Sequence, residues 1–183
     1  MSARSGHRKL ILIGMRGSGK TSVGRALASG LGLELIDCDR RLEERRGQSI
    51  RDIFEQHGEA RFREWEREEL VDVLGGGPAV IATGGGVILR DDNVSDLGRA
   101  GFVVYLEADV ATLADRVRRD PSSESMRPAL TDLSLDEELA SVLAARRDRY
   151  SSAADRIVST VGRGVDQIAE EIAVVFAGLP CDD

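Results

Sequence analysis

The chain has 183 residues, 42% of them hydrophobic, with a formal net charge of −7. That length suits one domain able to bury roughly 70% of its unfolded surface. The negative balance argues against nonspecific nucleic-acid binding, which needs a positive field, and no window reaches the run of about 18 apolar residues that spans a membrane. Cys38 and Cys181 make no disulfide framework, and His7 and His57 are too few for a metal cluster. The opening MSARSGHRK is polar and basic, without the apolar stretch of a secretory signal, so a cytoplasmic protein is expected. Lys9 and Lys20 are the only lysines; every other basic residue is arginine, so residue type alone singles out no arginine.

In chain order, the apolar run Leu10 to Ile13 leads into Gly14-Met15-Arg16-Gly17-Ser18-Gly19-Lys20-Thr21. This matches the phosphate-loop pattern G-x-x-x-x-G-K-S/T at every fixed position. A strand over 9–14 and a helix over 20–31 follow, the helix with Val23, Leu27 and Leu31 on helical spacing. LELID at 33–37 predicts a second strand. Residues 40–46, 49–57 and 58–74 are helical in pattern, with Gly47, Gly58 and Gly75 as stops. Ser49 is placed to cap, and Ile50, Ile53 and Phe54 share a face. AVIATG at 79–84 predicts a third strand running into Gly84-Gly85-Gly86, whereas the other glycine triplet, at 75–77, ends a helix before Pro78. FVVYLEA at 102–108 predicts a fourth strand, and Asp109 caps a helix to about Arg119. Residues 120–131 carry two prolines and read as an exposed loop. A helix over about 135–150, a strand at 156–160 and a closing helix over 165–178 complete the pattern.

This alternation implies a parallel sheet covered on both sides by helices, with ligands beyond the carboxyl ends of its strands. Residues 14–21, 37–39, 83–86, 107–109 and 160–163 should therefore converge. In the first group, loop amides and a helix dipole suit an anion, Lys20 adds a point charge, and the Thr21 hydroxyl suits magnesium. Asp37 and Asp39 could face the metal and an acceptor respectively, but Glu107 competes for the metal side. Arg63 has Glu59 and Glu66 at i−4 and i+3, so a solvated ion-pair face and a ligand contact are both open. Thr83 to Gly86 suits close approach of backbone to a ligand. Arg127, before Pro128, is either a closing-lid arginine or an ordinary surface residue. Arg146, Arg147 and Arg149 near a helix end are favoured there by the dipole alone. Trp65 reads as core.

The segments GMRGSGKTSVGRALA, DCD, SIRDIFEQHGEARFREWE, TGGG, MRPAL and the Arg146-x-x-x-Tyr150 spacing together resemble shikimate kinases over about residues 8–178. The third segment carries most weight, because other phosphate-loop kinases of this size lack it. The resemblance implies a three-layer α/β/α fold, similar to nucleoside monophosphate kinases, with a five-stranded parallel sheet in the order 2-3-1-4-5. One kinase domain would fill residues 1–183, with a substrate-binding helical segment at about 38–74 and a lid at about 119–131. It would transfer the γ-phosphoryl group of ATP to the 3-hydroxyl of shikimate, with Mg²⁺, in the aromatic amino acid pathway.

By the same resemblance, Gly17, Ser18, Gly19, Lys20, Thr21 and Ser22 would hold the ATP phosphates, and Thr21 and Asp37 the magnesium, Asp37 through water. Lys20, Asp39 and Arg127 would be catalytic, with Asp39 the candidate base. Arg63 and Arg146 would hold the shikimate carboxylate beside Gly84, Gly85 and Gly86, in a pocket lined by Phe54 and Phe62. Arg119 and Arg163 would flank the adenine. ATP and shikimate are the expected partners of a monomer, with no nucleic acid or membrane. The chain departs from the family pattern in reading RPAL where RPLL is usual, and in the extra charge of Arg147 and Arg149. The rivals are a kinase of another small hydroxy acid, such as gluconate, and a phosphate-loop ATPase acting as a conformational switch. A guanine switch is excluded, since the only asparagine, Asn93, precedes Val94 and forms no Asn-Lys-x-Asp element.

Overall fold

The computed structural model describes residues 9–120 and 134–179. Strands β1 (Lys9–Ile13), β2 (Glu34–Asp37), β3 (Ala79–Ala82), β4 (Gly101–Glu107) and β5 (Arg156–Ser159) form one parallel sheet in the order β2-β3-β1-β4-β5, as expected. The helices are α1 (Lys20–Leu31), α2 (Cys38–Arg46), α3 (Ile50–Leu74), α4 (Asp91–Ala100), α5 (Val110–Arg119), α6 (Leu135–Ala153) and α7 (Val165–Ala177). No helix among the described residues is long and apolar enough to cross a membrane.

Why β1 is an unbroken apolar run follows from its place at the centre of the sheet, where both faces are covered. Leu10 to Ile13 are fully buried. Ile11 and Ile13 point with Ile81, Tyr105 and Tyr150 into one core, while Leu10 and Leu12 join Leu27, Val104 and Ile168 beneath α1 and α7 in the other. A third cluster, Leu42, Ile50, Ile53, Phe54 and Phe62, is local to α2 and α3. From β1 the chain moves to one side of the sheet for β2 and β3, then crosses to the other for β4 and β5. The crevice of such a sheet opens beyond the carboxyl end of β1.

The predicted stop at Gly58 is present, where φ 77° and ψ 169° separate two helical segments of α3 across a kink. Two expectations needed adjustment. The helix expected over 135–150 continues to Ala153. Residues 87–100, unassigned from sequence, form a 3₁₀ turn (Val87–Leu89) and α4. Helix α4 has only Val94, Leu97 and Ala100 as apolar residues, all three packed on the core. A buried amide holds it as well: Asn93 donates through Nδ2 to the Val87 carbonyl (2.9 Å) and accepts from Arg67 Nη1 (3.0 Å). His7, Cys181 and most of the 120–131 loop, with Arg127, lie outside the described residues.

Candidate active site

The phosphate loop joins β1 to α1 through glycines that only positive φ satisfies: Gly14 at 146°, Gly17 at 79° and Gly19 at 96°. A side chain at these angles would strain the backbone. Ser18 N–H donates back to the Met15 carbonyl (3.1 Å), closing the turn. Gly19 caps α1 without a side-chain bond, leaving first-turn amides to meet an anion. Lys20 Nζ spans the loop, donating to the carbonyls of Gly14 and Met15 at 2.9 Å each.

Beside it, Thr21 Oγ1 donates to Asp37 Oδ2 at 2.7 Å. Asp37 also caps α2, accepting from Arg40 N–H. Glu107, its competitor in the sequence, is instead paired with Arg147 (2.9 Å). The carboxylate on the threonine hydroxyl is therefore that of Asp37. Cys38 turns inward, and burial, with the charges of Asp39 and Asp37 behind it, pushes its thiol well above the ordinary value.

Across the crevice a second pole is built from side chains. Arg63, only 13% exposed, donates to Glu66 Oε2 (2.7 Å) and, through Nη2, to Glu59 Oε1 (3.0 Å). Burial works against its charge, but Glu66 and Glu59 outweigh this and hold the guanidinium above the usual arginine value. A methyl group at Gly86 would lie 2.0 Å from Arg63 Nη1, and one at Gly84 would lie 2.7 Å from both Asp39 Oδ1 and Glu66 Oε1. Gly84 and Gly86 are thus glycine because charged groups press on them from α2 and α3. From α6, Arg146 Nη1 donates to the Gly85 carbonyl (3.2 Å), and so does the buried Tyr150 hydroxyl. Gly85 in turn abuts the phosphate loop: a methyl there would sit 3.5 Å from the Gly14 carbonyl oxygen and 3.6 Å from Arg16 N. The two poles meet at this residue.

The dipole explanation for the three α6 arginines fails, because the last turn of that helix holds no basic residue. Each has its own target: Arg146 the Gly85 carbonyl, Arg147 Glu107, and Arg149 the Ile88 carbonyl and Asp91. Phe54 and Phe62 pack at 4.6 Å between ring centroids, Phe62 fully buried, as a wall of the third cluster. Half-buried Trp65 packs against that cluster, with Arg46 and Arg61 over its ring. Arg119 is exposed and paired with Asp115 (3.0 Å), and Arg163 is turned onto Glu171 (2.7 Å). Glu66, 6% exposed, and Tyr150 belong with the site although sequence assigned them no role. The available signal was same-face spacing, three residues after Arg63 and four after Arg146. A cavity of about 300 Å³ between Glu107, Asp109, Leu143, Arg147 and Val161 shares no residue with the phosphate loop or the triplet.

Comparison with known proteins bears on this geometry. The family model for shikimate kinase matches residues 16–176. The chain is 40% identical to the shikimate kinase of Symbiobacterium thermophilum over 163 residues, covering 89% of this chain and 92% of that protein. Identity to the Thermobifida fusca shikimate kinase is 43% over 167 residues, 89% and 91% of the two chains. Among solved structures, shikimate kinase from Acinetobacter baumannii in complex with shikimate superposes with a TM-score of 0.86 at 33% identity, covering 95% of this chain and 96% of the other. A gluconokinase from Sinorhizobium meliloti shares the fold, with a TM-score of 0.57 at 19% identity and 95% and 94% coverage.

Proposed function

The chain belongs to the shikimate kinase family, and from that membership we infer that it transfers the γ-phosphoryl group of ATP to the 3-hydroxyl of shikimate, giving 3-phosphoshikimate and ADP. The observation that carries this reading is the meeting of the two poles at Gly85. Arg63 and Arg146 reach neighbouring residues of the triplet, and the triplet touches the phosphate loop. A guanidinium suits a carboxylate because it offers two parallel donors. An acid held by Arg63 and Arg146 beside Gly84 and Gly86, against Phe54 and Phe62, would present a ring hydroxyl toward the loop.

Little covalent work falls to the protein in such a transfer; positioning and charge neutralisation supply most of the acceleration. Gly17, Ser18, Gly19 and Ser22 would surround the phosphates, and Lys20 would exchange its two loop carbonyls for phosphate oxygens. Asp39, at the start of α2 and against Gly84, would orient the hydroxyl and accept its proton. Arg119 and Arg163 would have to leave Asp115 and Glu171 to flank a base.

The residues fit Mg²⁺. Thr21 and Asp37 offer a hydroxyl and a carboxylate already in contact, and among the described residues no cluster of three or more His, Cys, Asp or Glu could hold an ion alone. That donor set suits an octahedral ion whose other ligands are phosphates and water. When bound, the ion neutralises charge on the β- and γ-phosphates. ATP consumption fits a cytoplasmic setting, and since every group named comes from one chain, a monomer suffices.

The test is ADP release from ATP by the purified protein with shikimate, with gluconate and with no acceptor. Release should depend on shikimate. Preference for gluconate, or equal release without an acceptor, would replace this reading with the corresponding rival.

A further inference from the structure

Arg116 on α5 has no part in the chemistry above, yet its guanidinium makes four hydrogen bonds to other elements. Nη1 donates to the carbonyls of Gly17 (3.3 Å) and Ser18 (3.4 Å) and to Thr160 Oγ1 (2.9 Å). Nη2 donates to the Thr160 carbonyl (2.7 Å). Thr160 is buried and fixed in its turn, with N–H and Oγ1 both donating to the Glu107 carbonyl at 2.8 and 3.2 Å. Arg116 therefore ties the phosphate loop to the ends of β4 and β5.

The loop also lies directly on α5. A methyl at Gly17 would come 3.0 Å from the Leu113 carbonyl oxygen and 3.1 Å from Val117 Cγ2. A planar trans peptide points its N–H opposite its C=O. Drawing the Ser18 carbonyl toward Arg116 turns the Gly19 N–H the other way, while the bond to the Gly17 carbonyl braces the peptide whose N–H closes the turn onto the Met15 carbonyl. One peptide unit of an anion cradle is thus aimed from behind, and the turn that carries it is held, before any anion arrives.

We propose that Arg116 is a positioning residue that pre-forms the phosphate cradle, recognising no part of the nucleotide itself and acting on any polyphosphate. This rests on the reading that the loop holds ATP. The test compares wild type with Arg116→Met and Thr160→Val, measuring dissociation constants for ADP and for inorganic tripolyphosphate, which has no base or ribose. KM for ATP and for shikimate, and melting temperature, complete the set.

Arg116→Met should weaken ADP and tripolyphosphate by the same factor, about tenfold or more for lost bonds from a charged donor. KM for ATP should rise in step, and KM for shikimate should stay within about twofold, since the hydrogen bonds of Arg116 run to the phosphate loop and Thr160 and not to Arg63, Arg146 or the glycine triplet. Thr160→Val should give a smaller loss in the same pattern. Weakened ADP with unchanged tripolyphosphate would overturn the proposal, because Arg116 would then act on the nucleoside. Unchanged binding of both, or parallel loss of shikimate affinity, would overturn it as well. If Arg116→Met does not fold, Thr160→Val decides by the same criteria. Failure of wild type to bind either probe would instead refute the ATP reading.

Discussion

The two poles of the crevice are built on opposite plans. The phosphate loop is contiguous, and its working groups are backbone amides fixed by three glycines with positive φ. The other pole is scattered over α2, α3, the triplet after β3 and α6; its prominent groups are guanidinium side chains, and Gly84 and Gly86 leave room for the charged groups beside them. The first has an orientation written into local dihedrals. The second exists only once four elements have packed. One pole can therefore be damaged only by changing the loop or what braces it, while the other can be damaged from several places far apart in sequence.

The largest effect should come from Lys20→Ala, which removes the side-chain charge of the backbone-built pole. Turnover should fall by more than about a thousandfold with the fold retained, as measured by kcat at saturating substrates and circular dichroism. A loss under tenfold would mean that the amides suffice alone. Next is Gly86→Ala, whose methyl would overlap the Arg63 guanidinium. KM for shikimate should rise by as much as deleting the guanidinium would cause, about tenfold or more, and KM for ATP little, whereas equal increases would show that the poles are not separable.

Arg63→Ala should raise KM for shikimate about tenfold or more. Because it strands the buried Glu66 carboxylate, it should also cost about 2 kcal/mol of stability. Adding Glu66→Gln should restore stability in urea melts without restoring KM; recovery of both would make Arg63 a structural ion-pair residue. Tyr150→Phe, which removes one of two donors to the Gly85 carbonyl, should cost only a few-fold in kcat/KM.

The smallest effect concerns Cys38. Burial and the neighbouring carboxylates raise its thiol pKa, so the fold favours the neutral form. That stabilisation is present below the ordinary thiol value and is lost as pH rises above it. In a Cys181→Ser background, iodoacetamide should label the folded protein slowly at pH 8 and the urea-unfolded protein quickly. Equal rates would show that the α2 end of the crevice is open.

How far the sequence disclosed each part follows the same division. The phosphate loop was legible because Gly14 to Thr21 are consecutive and need no partner from elsewhere. The centre of the sheet was legible because β1 and β3 are buried and almost wholly apolar, and β4 carries the buried run Val103 to Leu106. Arg63 stayed ambiguous on spacing, since i−4 and i+3 acids suit a surface helix equally well. It took the packing of α3 against the triplet, and the resemblance beforehand, to give it direction. Spacing alone could not separate the α6 arginines, because Arg146, Arg147 and Arg149 differ only in which way 100° steps of a helix point them, and Arg146 was singled out by the resemblance alone. Arg116 was hidden for a similar reason: its meaning lies in Gly17 and Thr160, which are distant in sequence. Helix α4 was missed because its apolar face is only three residues, Val94, Leu97 and Ala100, set among acids, and the buried Asn93 that helps hold it reads as a turn residue.

The most direct test of the two-pole account sets shikimate against its methyl ester, in which the carboxylate is masked while the 3-hydroxyl is unchanged. Wild type should prefer the acid by about a hundredfold in kcat/KM, the scale of two charge-assisted hydrogen bonds. In the Arg63→Ala, Arg146→Ala double variant that preference should collapse toward unity, with both substrates poor. A wild type that uses the ester as well as the acid, or a double variant that still discriminates a hundredfold, would contradict the assignment.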